Sequence, residues 1–491
     1  MFSFFSSPPA PPVVPTDTIV ALNVIDDNFI NRKLVMLFMM RFDDVLHPEK
    51  LRSSLEKLLE RDGWRKLGAR LRLNVDKRLE YHIPAEYGPK RPAVAYSHSK
   101  YDINIEEHPL ASRLPKPSSK PAIVGDPTEF LEFTHIPGGP TSLDDYISRD
   151  IPQLGLHVVS FNNATLVSLN WIHTLFDAMG RQELLAAWTA MLDGREEDIK
   201  PFHGFDKDPL ADLGTKSTEE NVLVDKLLSK WQMAWFVLRQ VWEIILYRQE
   251  ETRLVCMPAA HVKKLKLSVN QELAAQNTGN DTVFASEADV LSAYISRLFI
   301  QHLPSTSKQT IVIGNAFGMR SALSNDHLPA DKAYMGNAIS MVMVILSAKD
   351  ILTNPLSYTA WAVRKSLFVQ GSREQIEARI ATQKSLGFAL YGDAGMQMIT
   401  VSNWSKAKFF EADFSAAVIK KGAVSNARVG RIGKPSCILG DSIARGLSPR
   451  NASIVAGRDG DGNIWWGGTL RKGLWAKIAQ TLESGSGYGS A

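Results

Sequence analysis

Apolar and polar positions alternate along this chain in two patterns. In one, apolar residues run together over seven or eight positions, as in LGLHVVSF and TLVSLNWI, which the turn residues Asn162 and Asn163 separate. This pattern predicts two neighbouring strands. In the other, apolar residues recur every three or four positions, as in LHPEKLRSSLEKLLER and AMGRQELLAAWTAML, which predicts amphipathic helices. Because the two patterns alternate and no solenoid or propeller repeat occurs, the sequence predicts an α/β fold.

The second half of the chain continues this alternation. RLVCMP, IVIGNAF and MVMVILSA are typical of strands, whereas SEADVLSAYISRLFIQHL and NPLSYTAWAVRKSLF have helical periodicity. Ser286 is the expected N-cap of the first helix. DGDGN at 459–463 resembles the start of a calcium loop, but Ile464 stands where that loop needs glycine and Leu470 where it needs glutamate. We therefore predict a hairpin turn and no metal site.

Two stretches depart from the alternation. Residues 96–140 are rich in proline, serine and charge, which favours a long surface excursion. Residues 194–220 are charged and poorly periodic, and a tryptophan-rich segment, WQMAWFVLRQVWEIILY, follows them. We interpret the whole stretch as a crossover between two halves of the chain.

The tryptophan-rich segment has helical spacing. Four polar residues make it too polar for a membrane span, namely Gln232, Arg239, Gln240 and Glu243. The three tryptophans are Trp231, Trp235 and Trp242. For these we favour a packed amphipathic face over docking to a membrane surface.

Length and composition set further bounds. The chain has 491 residues, which predicts two or three domains, and its 44% hydrophobic residues suffice for sizeable cores. The net charge of +4 is spread along the chain, so nucleic acid is not an expected partner. Cys256 and Cys437 show no ligand spacing, which argues against a disulfide framework or a zinc site. The proline-rich residues 1–17 have no secretory pattern and suggest an extended tail, so we expect a cytoplasmic protein.

A His-x-x-x-Asp string occurs three times. The pairs are His98 with Asp102, His173 with Asp177, and His327 with Asp331. The first lies in a polar stretch and the last contains a proline, whereas HTLFD joins an apolar strand to an amphipathic helix. A neutral imidazole at such a junction can act as a general base, since its ordinary pKa is about 6.5. The alternative is a structural histidine whose hydrogen bonds are all made within the core. Asp177 suits a helix N-cap on either interpretation.

Three ordered motifs resemble those of the BAHD acyltransferases. NWIHTLFDAMG resembles the HxxxDG signature, with two residues inserted before Gly180. GNAFGMRSALSNDHLPADKAYMGNAIS resembles the Arg-containing strand and the Y-x-GN element. ITVSNWSKAKFFEADFSAAV resembles the SW…DFGWG block. The residues so placed are Arg320, Tyr334, Gly336, Asn337, Ser402, Asn403, Trp404, Asp413 and Phe414.

The resemblance covers nearly the whole chain and implies two chloramphenicol-acetyltransferase-like α/β domains with an active-site channel between them. We place an N-terminal domain at 1–200, a crossover segment at 201–255 and a C-terminal domain at 256–491. The family implies His173 as catalytic base, and Asp177 turned away from the substrate to pair with a basic residue, which Arg320 could supply. Asp413 would also support the site structurally. Five residues are expected along the substrate or CoA channel, namely Gly180, Asn337, Ser402, Asn403 and Trp404.

One departure affects catalysis. Where the family often has DFGWG, this chain has DFSAA at 413–417, so the tryptophan proposed to stabilise the oxyanion in some members is Ala416. The hydroxyl of Ser402, the amide of Asn403 or backbone N–H groups remain as alternatives.

The implied function is CoA-dependent O-acylation. The resemblance is to fungal secondary-metabolite O-acetyltransferases, of the trichothecene 3-O-acetyltransferase type, which use acetyl-CoA and a small-molecule alcohol such as a terpenoid, meroterpenoid or mycotoxin. It implies a monomer with no bound cofactor and no metal. One alternative is a carrier-dependent condensation-type synthase, but that class usually has a second histidine where this chain has Ile172. Another is a relative without transferase activity, such as a binding protein or a cyclisation catalyst.

Overall fold

The computed structural model of the protein describes residues 10–277, 283–422 and 431–484. The first nine residues of the predicted extended tail lie outside these ranges. The strands of the described residues are β1 (Thr18–Ala21), β2 (Leu34–Phe42), β3 (Val45–Leu46), β4 (Arg70–Leu73), β5 (Leu79–Ile83), β6 (Ala95–Lys100), β7 (Ala122–Gly125), β8 (Leu154–Ser160), β9 (Thr165–Ile172), β10 (Phe202–His203), β11 (Glu250–Met257), β12 (Thr310–Gly318), β13 (Ala333–Tyr334), β14 (Ile339–Ser347), β15 (Gln397–Asn403), β16 (Val418–Lys420), β17 (Cys437–Ala444), β18 (Ala452–Arg458) and β19 (Ile464–Arg471). The α-helices are α1 (Pro48–Glu60), α2 (Leu131–Thr134), α3 (Leu143–Ser148), α4 (Ala178–Asp193), α5 (Lys230–Leu246), α6 (Ala259–Gln276), α7 (Glu287–Ile300), α8 (Ala348–Thr353), α9 (Leu356–Gln370), α10 (Arg373–Leu386) and α11 (Leu474–Ser484).

Two mixed sheets organise the chain. The N-terminal sheet has five strands in the order β17-β2-β9-β8-β6, and the C-terminal sheet has seven in the order β14-β12-β15-β18-β19-β11-β7. A smaller antiparallel sheet, β1-β5-β4, accompanies the first. The predicted α/β class is therefore confirmed, and so are the strands at LGLHVVSF and TLVSLNWI and the helices of AMGRQELLAAWTAML and SEADVLSAYISRLFI.

Each large sheet receives an edge strand from the other half of the chain. β7 pairs with β11 at the edge of the C-terminal sheet, and β17 pairs with β2 along eight residues at the edge of the N-terminal sheet. Two short ladders, β10 with β13 and β16 with β3, also join distant parts of the chain. The domain boundaries at 200 and 255 remain a prediction, and the halves they define exchange strands.

The N-terminal sheet is covered on both faces. Every residue of β8 and β9 is buried, which explains why these strands read as continuous apolar runs instead of alternating ones. α4 and α1 pack on one face, where Trp188 Nε1 donates to Ser54 Oγ at 2.9 Å. α4 ends at Gly194, whose φ of 76° is the left-handed conformation favoured by glycine at a helix C-terminus.

The predicted surface excursion at 96–140 is wrong in part. Its first residues form β6, which runs parallel to β8, and β7 lies farther along. Ile105, Phe130 and Phe133 are buried. The segment is polar in sequence because β6 and β7 are edge strands with mostly half-buried side chains.

The helix predicted for the tryptophan-rich segment is present as α5, but the predicted packing of its tryptophans is wrong. Trp231, Trp235 and Trp242 are 87%, 58% and 60% exposed. Phe236 is the buried residue of α5 and lies in an apolar cluster with Val312 and Met343 of the C-terminal sheet. The tryptophans point away from this sheet because helical periodicity places them about 100° to 140° around the helix from Phe236.

The hairpin predicted at DGDGN is confirmed, since β18 and β19 form an antiparallel pair around it. Asp459 Oδ1 accepts hydrogen bonds from the backbone N–H groups of Asp461 and Asn463, which closes the turn. None of the described helices combines the length and apolar character needed to cross a membrane.

Candidate active site

His173 begins the loop that joins β9 to α4. Its backbone N–H donates to Leu34 O at 2.9 Å, and its carbonyl oxygen accepts from Asn337 Nδ2 at 2.9 Å. Two buried aromatic side chains hold other carbonyls of the loop, Trp171 Nε1 to Phe176 O (3.2 Å) and Tyr81 Oη to Thr174 O (3.2 Å). Side chains from several elements thus fix the backbone that carries the imidazole.

The His173 imidazole lies in an environment that favours its neutral form. Burial is the largest influence and lowers its pKa below the usual 6.5. The Arg181 guanidinium acts in the same direction, whereas the Asp177 carboxylate opposes it. Nδ1 is buried and has no hydrogen-bond partner among the described residues. A neutral ring at physiological pH can accept a proton, as a general base must.

Asp177 combines the two roles that the sequence left open. As N-cap of α4, its Oδ1 accepts from the N–H groups of Met179 at 3.0 Å and Gly180 at 2.8 Å. Its Oδ2 accepts from Arg320 Nη1 at 2.8 Å and from the Ala338 N–H at 2.9 Å. Burial alone would raise the pKa of Asp177, but Arg320 and these hydrogen bonds outweigh it, so the pKa lies below 3.8. The carboxylate has no free oxygen to offer a substrate.

Arg320 joins this carboxylate to the YMGN segment. Besides Asp177, its guanidinium donates from Nη2 to Gly336 O at 2.7 Å and to Tyr334 O at 3.3 Å. The contact between Asp177 and Arg320 that the resemblance implied is therefore present. It ties the His173 loop, from the N-terminal half, to a segment of the C-terminal half.

Asn337 is held by a buried carboxylate that sequence reasoning missed. Asp26 Oδ1 accepts from Asn337 N at 2.6 Å and from Asn337 Nδ2 at 2.8 Å. The same Nδ2 donates to His173 O, so Asp26 fixes the amide that positions the loop. Burial raises the pKa of Asp26 to about 7. No pattern singled out Asp26, because it lies in irregular sequence far from the other motifs.

Gly180 permits close approach of α4 to the YMGN segment. A Cβ atom at this position would lie 2.3 Å from Met335 O and 2.8 Å from Phe176 Cβ. Gly180 and Asn337, which we expected along the channel, are both buried in the contact between the two halves. Their structural role is visible, and their place along a channel remains a prediction.

Arg181 is a second residue that sequence reasoning missed. Its guanidinium carbon lies 3.9 Å from the ring centroid of Phe38, 4.1 Å from Phe409, 4.3 Å from Trp404 and 5.4 Å from Trp171. Nε and Nη2 have no hydrogen-bond partner among the described residues, so the rings supply its stabilisation through cation–π contacts. A signal was available, because Arg181 falls at helical spacing in the apolar stripe of Leu184, Leu185 and Trp188.

The SNW segment of the C-terminal half, residues 402–404, contacts Arg181. Trp404 packs against Arg181, and its Nε1 donates to Ser402 Oγ at 3.0 Å. Asn403 Oδ1 accepts from the Ser405 N–H at 2.9 Å. Ser402 and Asn403 are partly exposed, and each retains a donor, the Ser402 hydroxyl proton and the Asn403 amide group.

The remaining candidates have their contacts outside the His173 loop. Asp413 is exposed, and its Oδ1 accepts from the Ser415 N–H at 2.9 Å, which closes a local turn. The adjacent Phe414 is buried and its ring lies 5.0 Å from that of Trp188. Of the other HxxxD histidines, His98 lies on β6 with Nε2 3.0 Å from Ser160 Oγ, and His327 Nδ1 lies 2.7 Å from Pro209 O.

Both cysteines are buried free thiols. Burial raises the pKa of Cys437 to about 12 and also raises that of Cys256, so neither is a ready nucleophile. Within the described ranges, no group of His, Cys, Asp and Glu side chains could hold a metal ion.

Several known proteins are similar to this chain in sequence or in fold. The family described as "Transferase family" matches residues 140–418. "Transcriptional regulator calD" of Penicillium decumbens is 44% identical, covering 98% of this chain and 99% of its own. "Acetyltransferase sphE" of Aspergillus fumigatus is 40% identical, covering 96% of each chain. In fold, the chain is similar to F. sporotrichioides TRI101, solved with coenzyme A and T-2, with a TM-score of 0.66 and 15% identity over 96% of this chain and 97% of the other.

Proposed function

Because the chain belongs to the Transferase family, whose members are BAHD acyltransferases, we propose that it transfers an acetyl group from acetyl-CoA to a hydroxyl of a small secondary metabolite, with His173 as general base. The observation that carries the assignment is the buried imidazole of His173, whose pKa burial lowers, on a loop fixed by Asn337 and by the Asp177–Arg320 pair. The relative named as an acetyltransferase and the similarity to TRI101 with its bound coenzyme A support the same reaction.

The reaction follows from the chemistry of the two substrates. His173 removes the proton of the acceptor hydroxyl while the alcohol oxygen attacks the thioester carbonyl carbon. The tetrahedral intermediate collapses with cleavage of the C–S bond, and CoA leaves as a thiolate that takes the proton back from the imidazolium. An ester and free CoA result. Since a thioester is already activated, the protein supplies a base, an oxyanion site and alignment, and it needs no nucleophile of its own.

The oxyanion site is proposed to use the donors of the SNW segment. Ser402 can donate its hydroxyl proton and Asn403 its amide N–H, and both side chains are partly exposed next to buried Trp404. Either group takes the place of the tryptophan that the family often has at the position of Ala416. Removal of one such donor typically costs about 100- to 1000-fold in turnover.

The wider organisation is part of the same proposal. We propose an N-terminal domain at 1–200 and a C-terminal domain at 256–491 linked by the crossover at 201–255, with the channel between them near Gly180, Asn337 and Trp404. We further propose a monomer in the cytoplasm. The two buried free thiols support a reducing compartment.

The test measures alcohol-dependent release of CoA thiol from acetyl-CoA by the full chain. His173→Ala should lower turnover by about 100- to 10,000-fold without changing the melting temperature. The control is His98→Ala, which removes the histidine of another HxxxD string and should retain activity. Near-normal turnover of a folded His173→Ala variant would refute the role of His173 as general base.

The same assay decides between functions. One relative is named as a transcriptional regulator, and a chain acting without acyl transfer would release no thiol with any alcohol. A carrier-dependent synthase would be inactive with acetyl-CoA but active with an acyl group on a carrier protein.

A further inference from the structure

α5 presents its apolar side to solvent. We define its outer face as Trp231, Ala234, Trp235, Leu238, Val241, Trp242 and Ile245, all of which are exposed. The helix has 17 residues, so it is about 25 Å long, and this face runs along its whole length. Scattered exposed apolar residues are ordinary, but a contiguous apolar surface with three tryptophans marks an interaction site.

The polar residues of α5 lie on the opposite side. Helical periodicity places Gln232, Arg239, Gln240 and Glu243 on the side of the buried Phe236. Arg239 Nη1 lies 3.5 Å from Ala394 O, and Glu243 Oε1 lies 3.8 Å from Arg450 Nη1. The helix is therefore inverted relative to an ordinary surface helix, which turns its apolar stripe toward the core. Its orientation is set by the buried Phe236 together with these polar contacts.

The charges around the outer face suit an anionic surface. Lys230 is exposed at the start of α5, Lys226 is exposed four residues before it, and Arg248 is exposed two residues beyond its end. Among the described residues, none of these three cations forms an ion pair with an acidic side chain. Asp225 precedes Lys226 in sequence, and Glu250 follows Arg248 by two residues but pairs with Arg450 at 3.1 Å. The outer face itself carries no carboxylate. Basic residues flanking an apolar, tryptophan-bearing helix face are typical of helices that lie in the headgroup region of a membrane.

A second copy of the chain fits this surface less well. If two outer faces met in an antiparallel crossing, Lys226 and Lys230 of one copy would lie near Arg248 of the other. A parallel crossing would bring the lysines of the two copies together. Either arrangement opposes like charges, and the outer face has no carboxylate to compensate them.

We propose that the outer face of α5 docks the protein onto anionic phospholipid membranes, with the helix lying in the plane of the interface. The three tryptophans enter the boundary between headgroups and acyl chains, and Lys226, Lys230 and Arg248 contact lipid phosphates. The docking is peripheral and independent of acyl transfer. An experiment can therefore disprove the docking without affecting the proposed reaction, or disprove the reaction without affecting the docking.

The experiment is co-sedimentation of the full chain with vesicles of phosphatidylcholine alone or with about a third phosphatidylserine. A triple variant, Trp231→Gln with Trp235→Gln and Trp242→Gln, removes the tryptophans of the outer face. A control variant, Val75→Gln with Phe368→Gln, changes exposed apolar residues elsewhere. Melting temperature and thiol release with a water-soluble alcohol should be unchanged in both variants, because none of these side chains is buried.

We expect wild type and the control variant to sediment with the anionic vesicles and to be released by salt, and the triple variant to lose about tenfold or more in partitioning. Wild type that stays in the supernatant with anionic vesicles would overturn the proposal. Sedimentation of the triple variant to the same extent as wild type would also overturn it. A wild-type dimer that the triple variant converts to a monomer, without vesicle binding, would instead establish the outer face as a contact between two copies.

Discussion

Asp177 Oδ2 lies 2.8 Å from Arg320 Nη1, and this ion pair joins the first residue before α4 to a segment 143 residues farther along the chain. The same carboxylate caps α4 through its other oxygen. One side chain therefore sets the start of the helix, the shape of the His173 loop and the contact between the two halves.

Removal of either partner of this pair should destabilise the fold. Asp177→Ala leaves the half-buried guanidinium of Arg320 without its counterion, and Arg320→Ala leaves the buried carboxylate of Asp177 unpaired, so each should cost about 3 to 5 kcal/mol in the free energy of unfolding. The double variant should lose less than the sum, because the second substitution removes a charge already unpaired. Denaturant unfolding of the four proteins measures the cycle. Unchanged melting temperatures in both single variants would exclude a stabilising pair.

The pH dependence of the reaction should report His173. Since the base acts in its neutral form and its pKa lies below 6.5, kcat/KM should fall as the pH drops through a value below 6.5. Arg181→Met removes the neighbouring positive charge and should move this limb to higher pH. Arg379→Met is a matched control, since Arg379 is also buried and lies 5.0 Å from an aromatic ring, that of Tyr391. If the acid limb of the pH profile lies at the same pH in Arg181→Met as in wild type, the charge of Arg181 does not lower the pKa of His173.

Asp26 should make the folded protein less stable as the pH rises through the acid range. Its folded pKa of about 7 exceeds the unfolded value of about 3.8, so the native state holds a proton that the unfolded state has released. Stability from this source is complete below about pH 4 and is lost as the pH rises to about 7, with a slope of at most about 1.4 kcal/mol per pH unit. Asp26→Asn keeps an acceptor for Asn337 and removes the titration. Identical pH profiles of unfolding for wild type and variant would contradict the shifted pKa.

The kinetics should show direct transfer in a ternary complex. Plots of initial rate against acetyl-CoA at several alcohol concentrations should intersect, and Cys256→Ala and Cys437→Ala should remain active, because burial keeps both thiols protonated. Mass spectrometry of protein incubated with acetyl-CoA alone should show no added acetyl group. Parallel plots with an acetylated protein would establish a covalent intermediate instead.

The local elements of the site could be predicted from the sequence because they depend on residues that are close together in the chain. The strand before His173 and the helix after it have clear periods, and Asp177 has the position of a cap. The pairing with Arg320 came from the resemblance. Asp26 could not be found, since its contact with Asn337 spans 311 residues and leaves no local pattern. Arg181 could have been found as a charge in an apolar stripe.

The error at α5 has a different origin. Periodicity showed that one side of the helix is apolar, but it does not show which side faces the protein. We assumed that the apolar side is buried, as in most surface helices. The opposite orientation depends on residues far away in sequence, through the packing of Phe236 in a cluster with Val312 and the contact of Glu243 with Arg450.

The position of β17 beside β2 also governs how the chain is made. β2 emerges early from the ribosome, yet its outer edge has no partner until residues 437–444 have been synthesised. At about 5 to 20 residues per second, the interval between the completion of β9 and of β17 lasts roughly 14 to 54 s. During that time the N-terminal sheet exposes a long apolar edge, a recognised start point for aggregation. We expect the nascent chain to need a chaperone over this interval, and any truncation before residue 437 to yield insoluble protein.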